Sequence, residues 1–147
     1  MRTLRRYVSR QVFGSTLLVF LIVLLTAHAQ KTKQDVIKAI DAKGDVYAAT
    51  AKKIWDFAEV GFQEKQSSAL LQQLLKDAGF VVQDNIAGMP TAFTATYGSG
   101  KPVIGILGEF DALPGVAQMA VPEPKPIPGQ AAGHACGHHL FGVASAA

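Results

Sequence analysis

Apolar residues recur at three- and four-residue steps from Lys33 to Val60: Val36, Ile37, Ile40, Tyr47, Ala51, Ile54, Trp55 and Ala58. That period predicts amphipathic helix. Gly44 lies inside it and weakens a helix by about 1 kcal/mol relative to alanine, so a break there is expected. Glu64 to Ala78 carries a second helical stripe, Leu70, Leu71, Leu74 and Leu75, and Gly79 supplies its stop. The pattern then changes. Phe80 to Val82 reads as a short strand, and Thr91 to Tyr97 alternates and is rich in threonine and aromatics, as strands are. Val103 to Leu107 is a nearly continuous apolar run, the mark of a strand buried on both faces. Gly98-Ser99-Gly100 reads as a turn that would pair these last two strands antiparallel.

Glu109 to Gly133 is a long connection. Its core, Val121-Pro122-Glu123-Pro124-Lys125-Pro126-Ile127-Pro128-Gly129, excludes regular helix and central strand because proline lacks the donor. It reads either as a stiff surface linker or as a loop rimming a cleft. From Leu140 the chain is small and apolar, the first turns of a buried helix. There is no internal repeat.

Composition refines this picture. The 147 residues, 49% hydrophobic, are enough for one domain with a core. The basic pI of 9.1 comes from the N-terminus, where Arg2, Arg5, Arg6 and Arg10 precede the first acid, Asp35. Nine apolar residues, Leu17 to Leu25, and an Ala27-His28-Ala29 cleavage signature follow. Residues 1–29 are therefore expected to be a signal peptide, with Gln30 the mature N-terminus and the protein exported, periplasmic or secreted. The alternative is an uncleaved membrane anchor, for which Val12 to Ala27 falls short of the roughly 20 residues a span needs. Without residues 1–29, ten basic and eleven acidic residues remain, which removes any case for nucleic-acid binding.

The candidate chemistry sits in Gly133-His134-Ala135-Cys136-Gly137-His138-His139, which holds the only cysteine and three of the four histidines. Cys136 and His138 would point about 200° apart on a helix but share a side in an extended chain. Gly137 lets the backbone approach a ligand closely. A thiolate and an imidazole suit zinc and similar divalent ions. The competing reading is a free buried cysteine beside surface histidines. Glu109 and Asp111 follow the apolar run directly, where α/β sheets place their sites, and a carboxylate there can orient a ligand histidine; a solvated turn is the plain alternative.

Three segments, Trp55 to Glu64, Ile104 to Gly115 and Gly133 to Gly142, resemble the N-terminal part of the zinc-peptidase-like amidohydrolases, a family of aminoacylases, glutamate carboxypeptidases and hippurate hydrolases. The branch most alike is the aminobenzoyl-glutamate utilisation type, its protein B in particular. The resemblance implies an α/β fold: part of a phosphorylase/hydrolase-like catalytic domain spanning residues 30–147, a mixed sheet with flanking helices, incomplete here. It implies two divalent ions, zinc or manganese, with Cys136 and His138 as ligands and Asp111 as the catalytic aspartate that supports the metal site. Glu109 stands where aminoacylase-type relatives place a ligand histidine, and His139 where the family usually has Asp or Asn. Glu109, His134 and His139 are thus candidates for a supporting or substrate-binding role. The implied reaction is hydrolysis of an amide in an N-acyl or aroyl amino acid, aminobenzoyl-glutamate-like, or a small peptide, by a homodimer or hetero-oligomer. The family's general base, a glutamate of a Glu-Glu pair downstream of C-G-H, is absent from this sequence, so the chain alone is expected to be inactive. The alternatives are a non-catalytic metal-binding protein and a membrane-anchored remnant.

Overall fold

A computed structural model describes residues 32–147; the expected signal peptide, residues 1–29, and Gln30 lie outside the described residues. No helix among the described residues is long and apolar enough to cross a membrane. The chain divides into two units, residues 1–41 and 42–147.

The described part of the first unit is helix α1, Lys33–Asp41. A reciprocal cap starts it. The Thr32 hydroxyl accepts from the Asp35 N–H at 3.2 Å, and an Asp35 carboxylate oxygen accepts from the Thr32 N–H at 3.0 Å. Its apolar residues Val36, Ile37 and Ile40 stay largely exposed.

The second unit is built on three helices: α2, Gly44–Phe57, α3, Lys65–Asp77, and α4, His138–Ala146. The helical period from Lys33 to Val60 is interrupted where Gly44 suggested, and Gly44 opens α2. At the end of α3, Gly79 takes a left-handed conformation (φ 89°), and the Phe80 N–H reaches back to the Leu75 carbonyl at 3.0 Å. The end of α2 is less usual. Its left-handed cap is Ala58 (φ 47°), a position that favours glycine. Ala51 and Ile54 of α2, Leu71 of α3 and Val143 of α4 make the core, with Tyr47, Leu70, Phe93, Phe110 and Ala146 packed around it.

Two small antiparallel sheets complete the unit, which is therefore mixed α and β. Strand β1, Val81–Asp84, pairs with β2, Phe93–Thr96, in the register Val81 to Thr96. This hairpin is tied to the start of α3: the Ser68 hydroxyl donates to the Thr91 carbonyl at 2.7 Å, and the Thr91 hydroxyl donates to the buried Glu64 carboxylate at 2.6 Å. Strand β3, Leu113–Pro114, pairs with β4, Ala132–Gly133.

Two expectations fail here. Val103 to Leu107 is neither a strand nor buried: Val103 and Ile104 are 85% and 82% exposed. The Gly98-Ser99-Gly100 turn does not pair it with the preceding strand either, and β2 takes β1 as its partner instead. An apolar run reports that burial is favourable; it cannot supply the partner that buries it. The proline-rich loop folds back on Gln118. That amide donates to the Glu123 carbonyl at 3.0 Å and accepts from the Lys125 N–H at 2.8 Å, closing the loop without regular structure.

Candidate metal centre

Three of the expected residues converge. Glu109 and Asp111 lie on the extended segment that follows the exposed run, and His138 is the first residue of α4. An Asp111 oxygen lies 2.7 Å from His138 Nδ1 and a Glu109 oxygen 3.1 Å from His138 Nε2. One ligand atom from each residue falls within 4.8 Å of the others. The His138 side chain is 19% exposed, Asp111 32% and Glu109 46%, so the group opens to solvent on the Glu109 side.

The sequence builds this convergence through small residues. Gly142, one turn along α4 from His138, faces the 109–110 backbone. A Cβ there would lie 2.7 Å from the Glu109 carbonyl oxygen, so only glycine lets the helix come this close. One residue earlier on the segment, Gly108 admits Ser145, whose hydroxyl donates to the Leu107 carbonyl at 2.7 Å. The far side of the segment is fixed by Ala112, whose N–H donates to the Glu59 carbonyl at 2.7 Å beside a parallel bridge between Val60 and Ala112. Leu113 and Pro114 then enter β3. Asp111 is thereby held between α4 and the α2–α3 connection.

Two carboxylates and an imidazole are a donor set for a divalent cation. The pattern fits one further requirement: a ligating imidazole usually donates its other N–H to a carboxylate, and Asp111 accepts from Nδ1 here, leaving Nε2 on the Glu109 side.

The other three residues of the cysteine–histidine cluster are placed differently. Cys136 is exposed at the turn before α4 and stands outside the Glu109–Asp111–His138 group. His134 is buried and donates its Nε2–H to the Ile54 carbonyl at 3.0 Å. Its ring lies 4.9 Å from that of His139, and His139 meets the Trp55 ring edge-on at 5.0 Å. The Nδ1 atoms of both are buried without a hydrogen-bond partner among the described residues. Burial pushes the pKa of His134 down, against the Ile54 hydrogen bond and the Asp111 charge, with the nearby His138 adding to the fall. Burial and then His134 push that of His139 down. Both shifts favour the neutral ring, and the two rings pack with Trp55 as an aromatic cluster.

An open trough of about 560 Å³ lies beside this cluster, lined by Trp55, His139, Leu140 and the Met119–Pro122 stretch of the long loop. The loop thus rims a depression, as one of its two readings anticipated. Sequence reasoning passed over Glu59, whose carboxylate holds the start of α3, although it lies within the first of the three family-like segments. It also passed over Gly142, for which a glycine in an otherwise apolar helix was the available signal.

No family model matches the chain. Among curated proteins, it is 44% identical over 108 residues to a p-aminobenzoyl-glutamate hydrolase subunit of Escherichia coli K12, covering 73% of this chain and 22% of that protein. It is 28% identical over 134 residues to the Xaa-Arg dipeptidase of Mus musculus and 27% identical over 124 residues to that of Homo sapiens, covering 82% and 75% of this chain and 27% and 24% of theirs. The chain spans about a quarter of the length of the curated relatives it matches.

Proposed function

We propose, for a chain whose sequence belongs to the amidohydrolase and peptidase family of these relatives, that it supplies part of a metal-dependent centre that hydrolyses an amide bond. The observation that carries this is the convergence of Glu109, Asp111 and His138, with one ligand atom from each within 4.8 Å of the others. The substrate class is an N-acyl or aroyl amino acid, aminobenzoyl-glutamate-like, or a small peptide, in keeping with what the relatives are named for.

A divalent cation, zinc or manganese, would supply Lewis acidity to the amide carbonyl and acidify a bound water. This chain's residues would do the holding. His138 offers Nε2, with its ring fixed by the Nδ1–H bond to Asp111. Glu109 brings negative charge to the same nitrogen. Cys136, two residues before His138, is the further ligand this reading assigns, and Gly137 (φ 80°) between them gives the backbone freedom to turn it. The proton-accepting glutamate expected for the complete reaction is not in this sequence. In the complete enzyme this reading adds a second ion and a second subunit to the residues of this chain. Residues 1–29 direct export in this reading, and residues 30–147 belong to the catalytic domain.

The test is a cobalt(II) titration of the chain followed by visible absorption. One equivalent is expected to give bands in the d–d region, with a sulfur-to-metal band if Cys136 ligates. His138→Gln abolishes both, whereas Cys136→Ser removes only the sulfur band. An unchanged titration in His138→Gln overturns the reading. A second reading, a metal-binding protein without catalysis, would keep the cobalt bands and hydrolyse no amide even with added protein from the complete enzyme.

A further inference from the structure

We infer that Glu59 is a positioning residue for the Asp111–His138 pair, acting through the N-terminus of α3 and the main chain of Ala112. The inference rests on the metal-centre reading for its functional meaning, and on geometry for its existence.

Helix α3 begins without a side-chain cap from its own flanking residue, Glu64. Its first free N–H groups are met instead from the connection before it. One Glu59 oxygen accepts from the Gln66 N–H at 3.0 Å, and the other accepts from the Ser67 N–H at 2.9 Å and the Ser67 hydroxyl at 2.8 Å. A carboxylate at this end of a helix also meets the positive pole of the helix dipole. Ser67 is fully buried, so this grip is shielded where it matters.

The same residue makes a second connection with its main chain. Its carbonyl accepts from Ala112 N–H at 2.7 Å. Ala112 is buried and directly follows Asp111. The side chain of Glu59 therefore fixes residue 59 against α3, and the carbonyl of residue 59 fixes the main chain next to Asp111. On the other side of that segment, α4 is pressed against Glu109 through Gly142 and presents His138. Asp111 thus meets His138 at 2.7 Å because the segment carrying it is clamped from both sides. Remove the carboxylate, and the Glu59 turn, which already holds a left-handed alanine at residue 58, loses what keeps it against α3. The second clamp on Asp111 goes with it.

The full chain can be tested without a metal. The Ala112 N–H is followed by hydrogen exchange, and the His138 Nδ1–H by the low-field proton signal of a ring N–H bound to a carboxylate. Glu59→Ala is expected to speed exchange at Ala112 about tenfold or more, the scale of losing hydrogen bonds to a charged group, and to abolish the His138 signal. Glu59→Gln, which keeps an acceptor for Ser67, is expected to retain the signal; this rescue separates positioning from simple bulk. Ser67→Ala, which deletes one of the bonds, accelerates Ala112 a few-fold and decides the matter should Glu59→Ala fail to fold. An unchanged His138 signal in Glu59→Ala, or in Ser67→Ala where the former does not fold, overturns the inference and leaves Glu59 a helix cap only. A wild-type chain without cobalt bands overturns the metal reading instead, and the two proton readouts still decide the role of Glu59.

Discussion

Two apolar stretches of similar strength meet opposite fates in this molecule. The leucine face of α3 is covered: Leu71 is 2% exposed and packs with Ile54 and Val143 from the other two helices, and Leu70, Leu74 and Leu75 are half-buried. The run from Val103 to Leu107 is as apolar, yet Val103, Ile104, Ile106 and Leu107 are among the most exposed large hydrophobic residues of the described chain. The difference is in the partners. A helix offers one stripe, and two other helices of this chain cover it. A strand apolar on both faces needs neighbours on each side, and the chain supplies one of them: Ser145 of α4 bonds to Leu107, and Gly108 lies under it. The candidate metal centre stands at the boundary between the two regions, with His138 on the packed helix and Glu109 just past the exposed run.

The largest effect belongs to the packed side. Leu71→Ala removes buried side chain from the centre of the helix contact, and a cost of about 2–5 kcal/mol is expected, measured as loss of stability in urea. The corresponding change in the run, Ile104→Thr, is expected to stay within about 0.5 kcal/mol, because the side chain leaves little packing behind. Equal costs at the two positions would erase the contrast.

Gly142→Ala comes next. The new methyl would meet the Glu109 carbonyl oxygen at 2.7 Å and the Phe110 Cβ at 3.2 Å. Overpacking of this kind costs about 1–3 kcal/mol. It also pries the Glu109–Asp111 segment away from α4, so cobalt binding is expected to weaken more than stability does. Binding unchanged at reduced stability would show that the centre does not depend on this close approach.

How much of this was legible beforehand varies with the range of the signal. The stripe Leu70, Leu71, Leu74 and Leu75 with Gly79 behind it defines α3 nearly to its ends, since both period and stop are local. The break before Gly44 was equally local. The pairing of β2 was not: a Gly-Ser-Gly turn marks a reversal but does not name the partner, and β1 lies on the other side of it. The i, i+2 argument for residues sharing a side holds in extended chain, and the structure realises it at Glu109 and Asp111, which do face together. Cys136 lies in a turn and α4 starts at His138 itself, so the two do not share an extended stretch. Glu59 escaped because a helix cap is sought next to the helix, and this one reaches α3 from the preceding connection. Ala58 escaped because left-handed caps are sought at glycine.

The exposed run predicts behaviour more than stability. An exposed apolar segment outside any sheet can pair with another chain. The chain alone is expected to self-associate in a concentration-dependent way, seen by sedimentation. Ile104→Lys with Ile106→Lys is expected to shift it toward monomer while leaving the melting temperature nearly unchanged. Association insensitive to these charges would place the sticky surface elsewhere, for instance on α1, and the comparison would need redrawing.

The smallest expected effect is the acid response of Glu59, which touches both regions. Partial burial pushes its pKa up, but the hydrogen bonds from Gln66 and Ser67, backbone and side chain, outweigh that and bring it below the ordinary 4.5. A carboxyl group that is more acidic when folded contributes stability in full above its unfolded value. That contribution disappears as pH falls through the folded value. The loss therefore belongs to the acid side of 4.5 and should be absent at neutral pH. Comparing wild type with Glu59→Gln, urea midpoints should differ most at neutral pH and converge below the carboxylate range. The protection of the Ala112 N–H, its exchange taken relative to the intrinsic rate at each pH, should fall over the same acid interval in wild type alone. A midpoint difference that stays constant down to about pH 3, below the ordinary carboxylate range, would mean that the Glu59 charge contributes nothing to the clamp, and that shape alone holds the Asp111 segment against the packed side of the molecule.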